Sequence, residues 1–94
     1  MPKPTNPQSN NTQWKVYILE CADNTLYTGI TTNIARRVDE HNHSNKGARY
    51  TRSRRPVRLA YQENCDSRSA ASKREYSIKQ LARQEKQQLI NQVK

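Results

Sequence analysis

The chain has 94 residues, a formal net charge of +9, 32% hydrophobic residues and no Phe. That length holds one small domain, whose thin core must rest on Ile, Leu, Val, Tyr and a single Trp. The charge selects an acidic partner, and apolar runs of only a few residues exclude a bilayer-spanning segment.

Residues 1–13 carry three prolines among Asn, Gln, Thr and Ser, with Lys3 as their one basic group. They are expected to form a disordered tail, leaving residues 14–94 as the folded domain. No apolar signal core opens the chain, so a cytoplasmic protein is expected. Cys21 and Cys65 lack paired C-x-x-C spacing. Reduced, partly buried thiols are favoured over a zinc site.

Trp14 to Cys21 alternates, with Trp14, Val16 and Ile18 on one face and Lys15, Tyr17, Leu19 and Cys21 on the other. β-Branched and aromatic residues at period two predict a strand. Ala22-Asp23-Asn24 is a turn signal, Asn24 being able to adopt a left-handed backbone. Thr25 to Ile30 is a second strand, giving an antiparallel hairpin. A three-residue loop sets Leu19 opposite Tyr27 and puts Tyr17 and Tyr27 diagonally on one face, both hydroxyls near one small ligand. A two-residue loop would put them on opposite faces.

Gly29 closes the second strand and permits close approach by another group. Thr32 or Asn33 can cap a helix over about 34–42, with Ile34 and Val38 toward the sheet. Arg37 and His41, four apart, stack beside that line, and Arg36 and Glu40 form a solvated pair. From His43 to Pro56 the apolar pattern stops, and a basic loop is expected. Lys46, Arg49, Arg52, Arg54, Arg55 and Arg58 supply its charge, and no acid occurs between Glu40 and Glu63. Arginine forks suit phosphate oxygens, so these six are candidates for nucleic-acid backbone contact.

Val57 to Glu63 is a third strand, with Val57, Leu59 and Tyr61 on one face. A turn and cap over 64–67 lead to a helix over about 69–81. There Ala71, Ile78 and Ala82 form one apolar stripe with Glu75 in its middle. A carboxylate on an apolar stripe needs a cation or a hydrogen-bond donor, either a Lys or Arg partner or a metal ion. Leu89, Ile90 and Val93 mark a last amphipathic helix from about residue 83.

In order along the chain stand Tyr17, Tyr27-Thr28-Gly29, Arg37, His41 and Glu75, with the basic segment GARYTRSRRP between. This constellation resembles the GIY-YIG nuclease superfamily, in particular its small stand-alone bacterial branch. Tyr27-Thr28-Gly29 stands where the family has Y-I-G, and Lys15-Val16-Tyr17 keeps only the tyrosine of the first motif. Arg37, eight residues after Gly29, matches the family's arginine, His41 a position that is His or Tyr, and Glu75 the helical glutamate that holds one divalent ion.

The resemblance implies an α+β fold, a three-stranded antiparallel sheet flanked by helices in the order β-β-α-β-α-α. It also implies phosphodiester hydrolysis with one Mg2+ or Mn2+. Glu75 would anchor the metal and Arg37 would contact the scissile phosphate. Tyr17 is the first candidate for general base, with His41 as its partner in the task. Tyr27 would position water or phosphate, and Gly29 would give room for the approach.

Two functions fit these residues. One is a Mg-dependent DNA endonuclease in repair or recombination, working as a monomer or weak dimer away from any membrane. The other is a nucleic-acid-binding module that keeps the fold but cuts little. Charge alone does not separate DNA from RNA.

Overall fold

The computed structural model describes residues 13–92. Strands β1 (Trp14–Glu20), β2 (Leu26–Thr31) and β3 (Arg58–Cys65) form one antiparallel sheet in the order β2-β1-β3. Helices are α1 (Ile34–His43), the short α2 (Arg49–Arg52), α3 (Arg68–Lys79) and α4 (Arg83–Asn91). The α+β fold and the β-β-α-β-α-α order hold, with one addition: α2 is a single helical turn inside the segment expected to be a loop. Its inward residue is the polar Thr51, so no apolar period announces it.

The hairpin register follows the three-residue loop. Leu19 pairs with Tyr27 and Tyr17 with Gly29, and Asn24 takes the left-handed backbone at φ 69°. A loop of that length keeps odd-numbered residues of both strands on one face. Val16 and Ile18 pack on the other face with Tyr61, Ile78 and Ile90. Tyr17, Leu19 and Cys21 pack with Val57, against Ile34 and Val38 of α1. The sheet thus separates two small cores, with α1 and α2 on one side and α3 and α4 on the other.

Two expected faces are corrected. Leu19 pairs with Leu59 but Ile18 with Tyr61, so β3 bulges at Ala60. The extra residue reverses the alternation, sending Leu59 to the Tyr17 side and Tyr61 to the Val16 side. Ala82 is exposed and lies beyond α3 as the N-cap of α4. The buried stripe of α3 is therefore Ala71 and Ile78. Asn33 caps α1 and Ser67 caps α3, each accepting from a backbone N–H three residues on.

Gln13, assigned to the tail by composition, is tied to the sheet, its Nε2 donating to the Cys65 carbonyl at 2.7 Å. The remainder of the expected tail and Val93 lie outside the described residues. Both cysteines are free thiols, Cys21 buried and Cys65 half-buried. Among the described residues, no helix is long and apolar enough to cross a membrane.

Candidate active site

Tyr17 is the centre of the constellation. It is 1% exposed, and its hydroxyl lies 2.9 Å from Nε2 of His41. The ring reaches that point by passing over Gly29. A Cβ on residue 29 would stand 2.5 Å from the Tyr17 oxygen. Gly29 therefore makes room for Tyr17, and it does so inside β2 rather than at its end. Gly29→Ala should push the phenol off His41 and cost about 1–3 kcal/mol of stability, read as a lowered urea midpoint.

His41 is fully buried on α1. Its Nδ1 meets the Thr51 hydroxyl at 2.9 Å and the Ala48 backbone N–H at 3.3 Å. The Ala48 N–H calls for an acceptor at Nδ1, whereas Thr51, whose hydroxyl donates to the Ala48 carbonyl at 2.9 Å, calls for a donor there. The ring tautomer therefore sets the direction of the hydrogen bond that joins Nε2 to the Tyr17 hydroxyl. Burial, reinforced by the positive charge of Arg37, lowers its pKa to about 4. The imidazole is neutral throughout the physiological range. In the unfolded chain it takes a proton near its ordinary value of 6.5, so stability is complete above that pH and is lost as pH falls toward 4. By pH 5 the loss should reach about 2 kcal/mol, measurable as a drop in urea midpoint between pH 7 and 5 that His41→Gln abolishes.

Burial acts oppositely on the phenol and raises the pKa of Tyr17 to about 12, against a lowering polar contact with Arg37. Arg37 is itself oriented. Its Nη1 donates to Oε1 of Glu40 at 2.9 Å and to the Lys46 carbonyl at 2.8 Å. Glu40 therefore belongs mainly to Arg37, with Arg36 at 3.9 Å as a looser partner. Tyr27 lies against both other rings, its centroid 6.5 Å from Tyr17 and 5.2 Å from His41, and it stacks on Tyr50 at 6.0 Å.

Glu75 approaches from α3, in the layer beyond the sheet, close enough for its charge to contribute to the raised pKa of Tyr17. Because β2 is an edge strand, groups from both layers can meet around it. The side chain of Glu75 is 24% exposed, and its Oε2 lies 3.1 Å from Nζ of Lys79, one helical turn on.

A buried phenol, an oriented arginine, a neutral imidazole and a half-buried carboxylate now stand around one edge strand. The family model for the GIY-YIG catalytic domain matches residues 13–88. The chain belongs to the GIY-YIG family. The family is one of nucleases. A UPF0213 protein of Desulfotalea psychrophila is 66% identical over 84 residues, covering 89% of this chain and 76% of its own. Another, from Natronomonas pharaonis, is 56% identical over 75 residues, covering 80% and 87%. The chain is similar to the solution structure of a Bacillus halodurans UPF0213 protein, at 46% identity and TM-score 0.54, over 84% of this chain and 83% of that one. An E. faecalis protein superposes with TM-score 0.59 at 40% identity, over 86% and 85%.

GIY-YIG nucleases generally use a divalent metal, and the donors here fit one hard cation. Mg2+ is commonly held by one or two carboxylates together with water and substrate phosphate. Glu75 supplies one accessible carboxylate, already facing a cation in Lys79. Among the described residues no cluster of three or more His, Cys, Asp or Glu offers an all-protein cage.

The basic segment divides in two. Arg54 pairs with Asp23 at 3.0 Å, donates to the Tyr50 carbonyl at 2.8 Å and covers the Tyr50 ring at 3.9 Å. Arg55 gathers the carbonyls of His41 and Ser44 at the C-terminus of α1, where a cation offsets the helix dipole. Arg58 pairs with Glu20. Lys46, Arg49 and Arg52 are exposed and, among the described residues, form no ion pair. His43 is exposed and pairs with Asp39.

Sequence reasoning missed Thr51 and Glu40 as supports. Glu40 had a usable signal, being three residues after Arg37 and within helical reach. Thr51 had none, because its segment carries no period that marks an inward position.

Proposed function

We propose that this chain is a divalent-metal-dependent endonuclease that hydrolyses DNA phosphodiester bonds and acts in repair or recombination. One observation supports this above the others. The Tyr17 hydroxyl is hydrogen-bonded to the neutral imidazole of His41 and faces Arg37, so a proton acceptor or donor and a cation meet at one phenol oxygen. Such an arrangement fixes the phenol in place, and the guanidinium beside it favours the ionised form.

In this reading Glu75 anchors the metal. The ion, when bound, supplies positive charge for the phosphoryl oxygens and the leaving oxygen. Arg37 neutralises charge that develops on the scissile phosphate. Tyr17, after releasing its own proton to solvent, takes the proton of the attacking water as the phenolate. His41, with no exposed surface, is a positioning residue that holds the Tyr17 hydroxyl through Nε2. Tyr27 places its hydroxyl beside the phosphate. Lys46, Arg49 and Arg52 are the members of the basic segment free to meet the backbone.

One observation favours a second reading, a nucleic-acid-binding module of little activity. Lys79 occupies the Glu75 carboxylate, and the raised pKa of Tyr17 opposes its use as a base at rest. Plasmid, single-stranded, duplex and branched DNA incubated with the protein and Mg2+ or Mn2+ separate the two. The nuclease reading expects cleavage that EDTA abolishes. DNA that is shifted in a gel but never cut would establish the binding module instead.

A further inference from the structure

The edge of β2 carries a groove in which Tyr27 is the one lining residue already given a role. Its volume is about 230 Å³, and it is lined by Leu26, Tyr27, Thr28, Tyr50, Lys79 and Lys86. It draws on both layers, with Tyr50 from α2 on one side and Lys79 and Lys86 from α3 and α4 on the other. No acid lines it. Lys79 is half-exposed and shares Glu75, while Lys86, among the described residues, has no ion-pair partner. Tyr50 has Tyr27 against its ring and Arg54 over it, and it is 38% exposed. Thr28 is 3% exposed, and its hydroxyl is the one buried side-chain polar atom among the described residues without a hydrogen-bond partner. Thr28 lies in the wall of a doubly cationic groove, and a phosphate there meets the charge of both lysines.

We infer that this groove is a second phosphate subsite, which holds a non-scissile backbone phosphate next to the one being cut. It rests on the nuclease reading and extends it. Lys79 and Lys86 supply the charge, and Tyr50 and Thr28 line the same pocket. The nucleic-acid backbone then runs around the β2 edge, past Glu75, toward α4. It does not follow Arg54, Arg55 and Arg58, whose guanidinium groups are already engaged within the protein. One lysine also links this subsite to the site of cleavage, because Lys79 contacts the carboxylate that receives the metal.

Binding of a fluorescein-labelled single-stranded oligodeoxynucleotide, followed by anisotropy in EDTA across a range of salt, tests the inference without cleavage. For Lys79→Gln/Lys86→Gln the slope of log K against log salt should fall by about 0.7, the contribution of one neutralised phosphate. Lys15→Gln/Lys73→Gln removes the same charge outside the groove and should leave the slope unchanged. Lys86→Gln alone should lower the slope in the same direction without disturbing Glu75, and circular dichroism checks that each variant folds. Equal slopes for the groove pair and the control pair would overturn the subsite. If that happened while wild type still cut DNA with Mg2+, the nuclease reading would survive it. A wild type that neither binds nor cuts would remove both.

Discussion

Replacing Glu75 with Gln should reduce metal-dependent cleavage about a thousandfold or more while leaving the fold intact. Lewis-acid stabilisation of a phosphoryl transition state is worth several kcal/mol, and each 1.36 kcal/mol is a factor of ten in rate. Glutamine keeps the shape of the side chain but not its charge, so the cation loses its anchor. The competing explanation is that Glu75 serves only to pair with Lys79. A partly exposed pair at that helical spacing contributes about 0.3–0.5 kcal/mol. In that case the variant would lose a little thermal stability and no activity. The two outcomes differ by three orders of magnitude in rate, so one titration of cleavage against Mg2+ decides between them. Arg37→Ala should lower the rate about a hundredfold to a thousandfold, the usual effect of removing a charge-stabilising donor. It also frees Glu40, so Arg37→Lys is the companion variant. Lysine retains the charge but cannot satisfy Glu40 and the Lys46 carbonyl with one planar fork, and only partial recovery is expected.

Local pattern carried most of the fold. Period-two alternation in Trp14–Cys21 and a left-handed Asn24 were enough to place the hairpin, but its register, and with it the diagonal of Tyr17 and Tyr27, hung on a loop length that the structure sets at three residues. The spacing of Arg37 and His41 placed both on one helix. What pattern could not carry was anything settled by a distant partner. The bulge at Ala60 leaves no mark in VRLAYQE, which alternates without interruption, yet it moves Tyr61 to the opposite core. Arg54 and Arg58 read as unbalanced charge because their partners, Asp23 and Glu20, lie 31 and 38 residues earlier in the hairpin. Among the described residues Arg55 meets no acid; it is held by backbone carbonyls, which every sequence contains and none displays. The candidate residues could be listed from the sequence, but the hydrogen bonds that hold them could not. Those bonds run through the Ala48 backbone and Thr51, neither of which has side-chain chemistry that suggests a catalytic centre.

Rates of two variants decide which group is the base. If Tyr17 takes the proton from water, Tyr17→Phe should lower the rate by about a hundredfold to ten-thousandfold, the range of general base catalysis. The packing should survive, because phenylalanine fills the same space over Gly29. The pH profile is the sharper measurement. With a pKa near 12 in the free protein, the ionised fraction of the phenol grows tenfold per pH unit through the neutral range. At saturating metal, log kcat/KM should therefore rise with a slope of about one across neutral pH and bend only where the phenol titrates. A cation at Glu75 moves that bend to lower pH without changing the slope beneath it. An imidazole base would behave otherwise. His41, with a pKa near 4, is already neutral at pH 5, so a rate carried by it would be level from pH 6 to 9. A level profile, retained in Tyr17→Phe, would move the role from the phenol to another group. A unit slope that is lost in Tyr17→Phe and kept in His41→Gln, at a lower overall rate, would fix Tyr17 as the base and His41 as the residue that holds it in place.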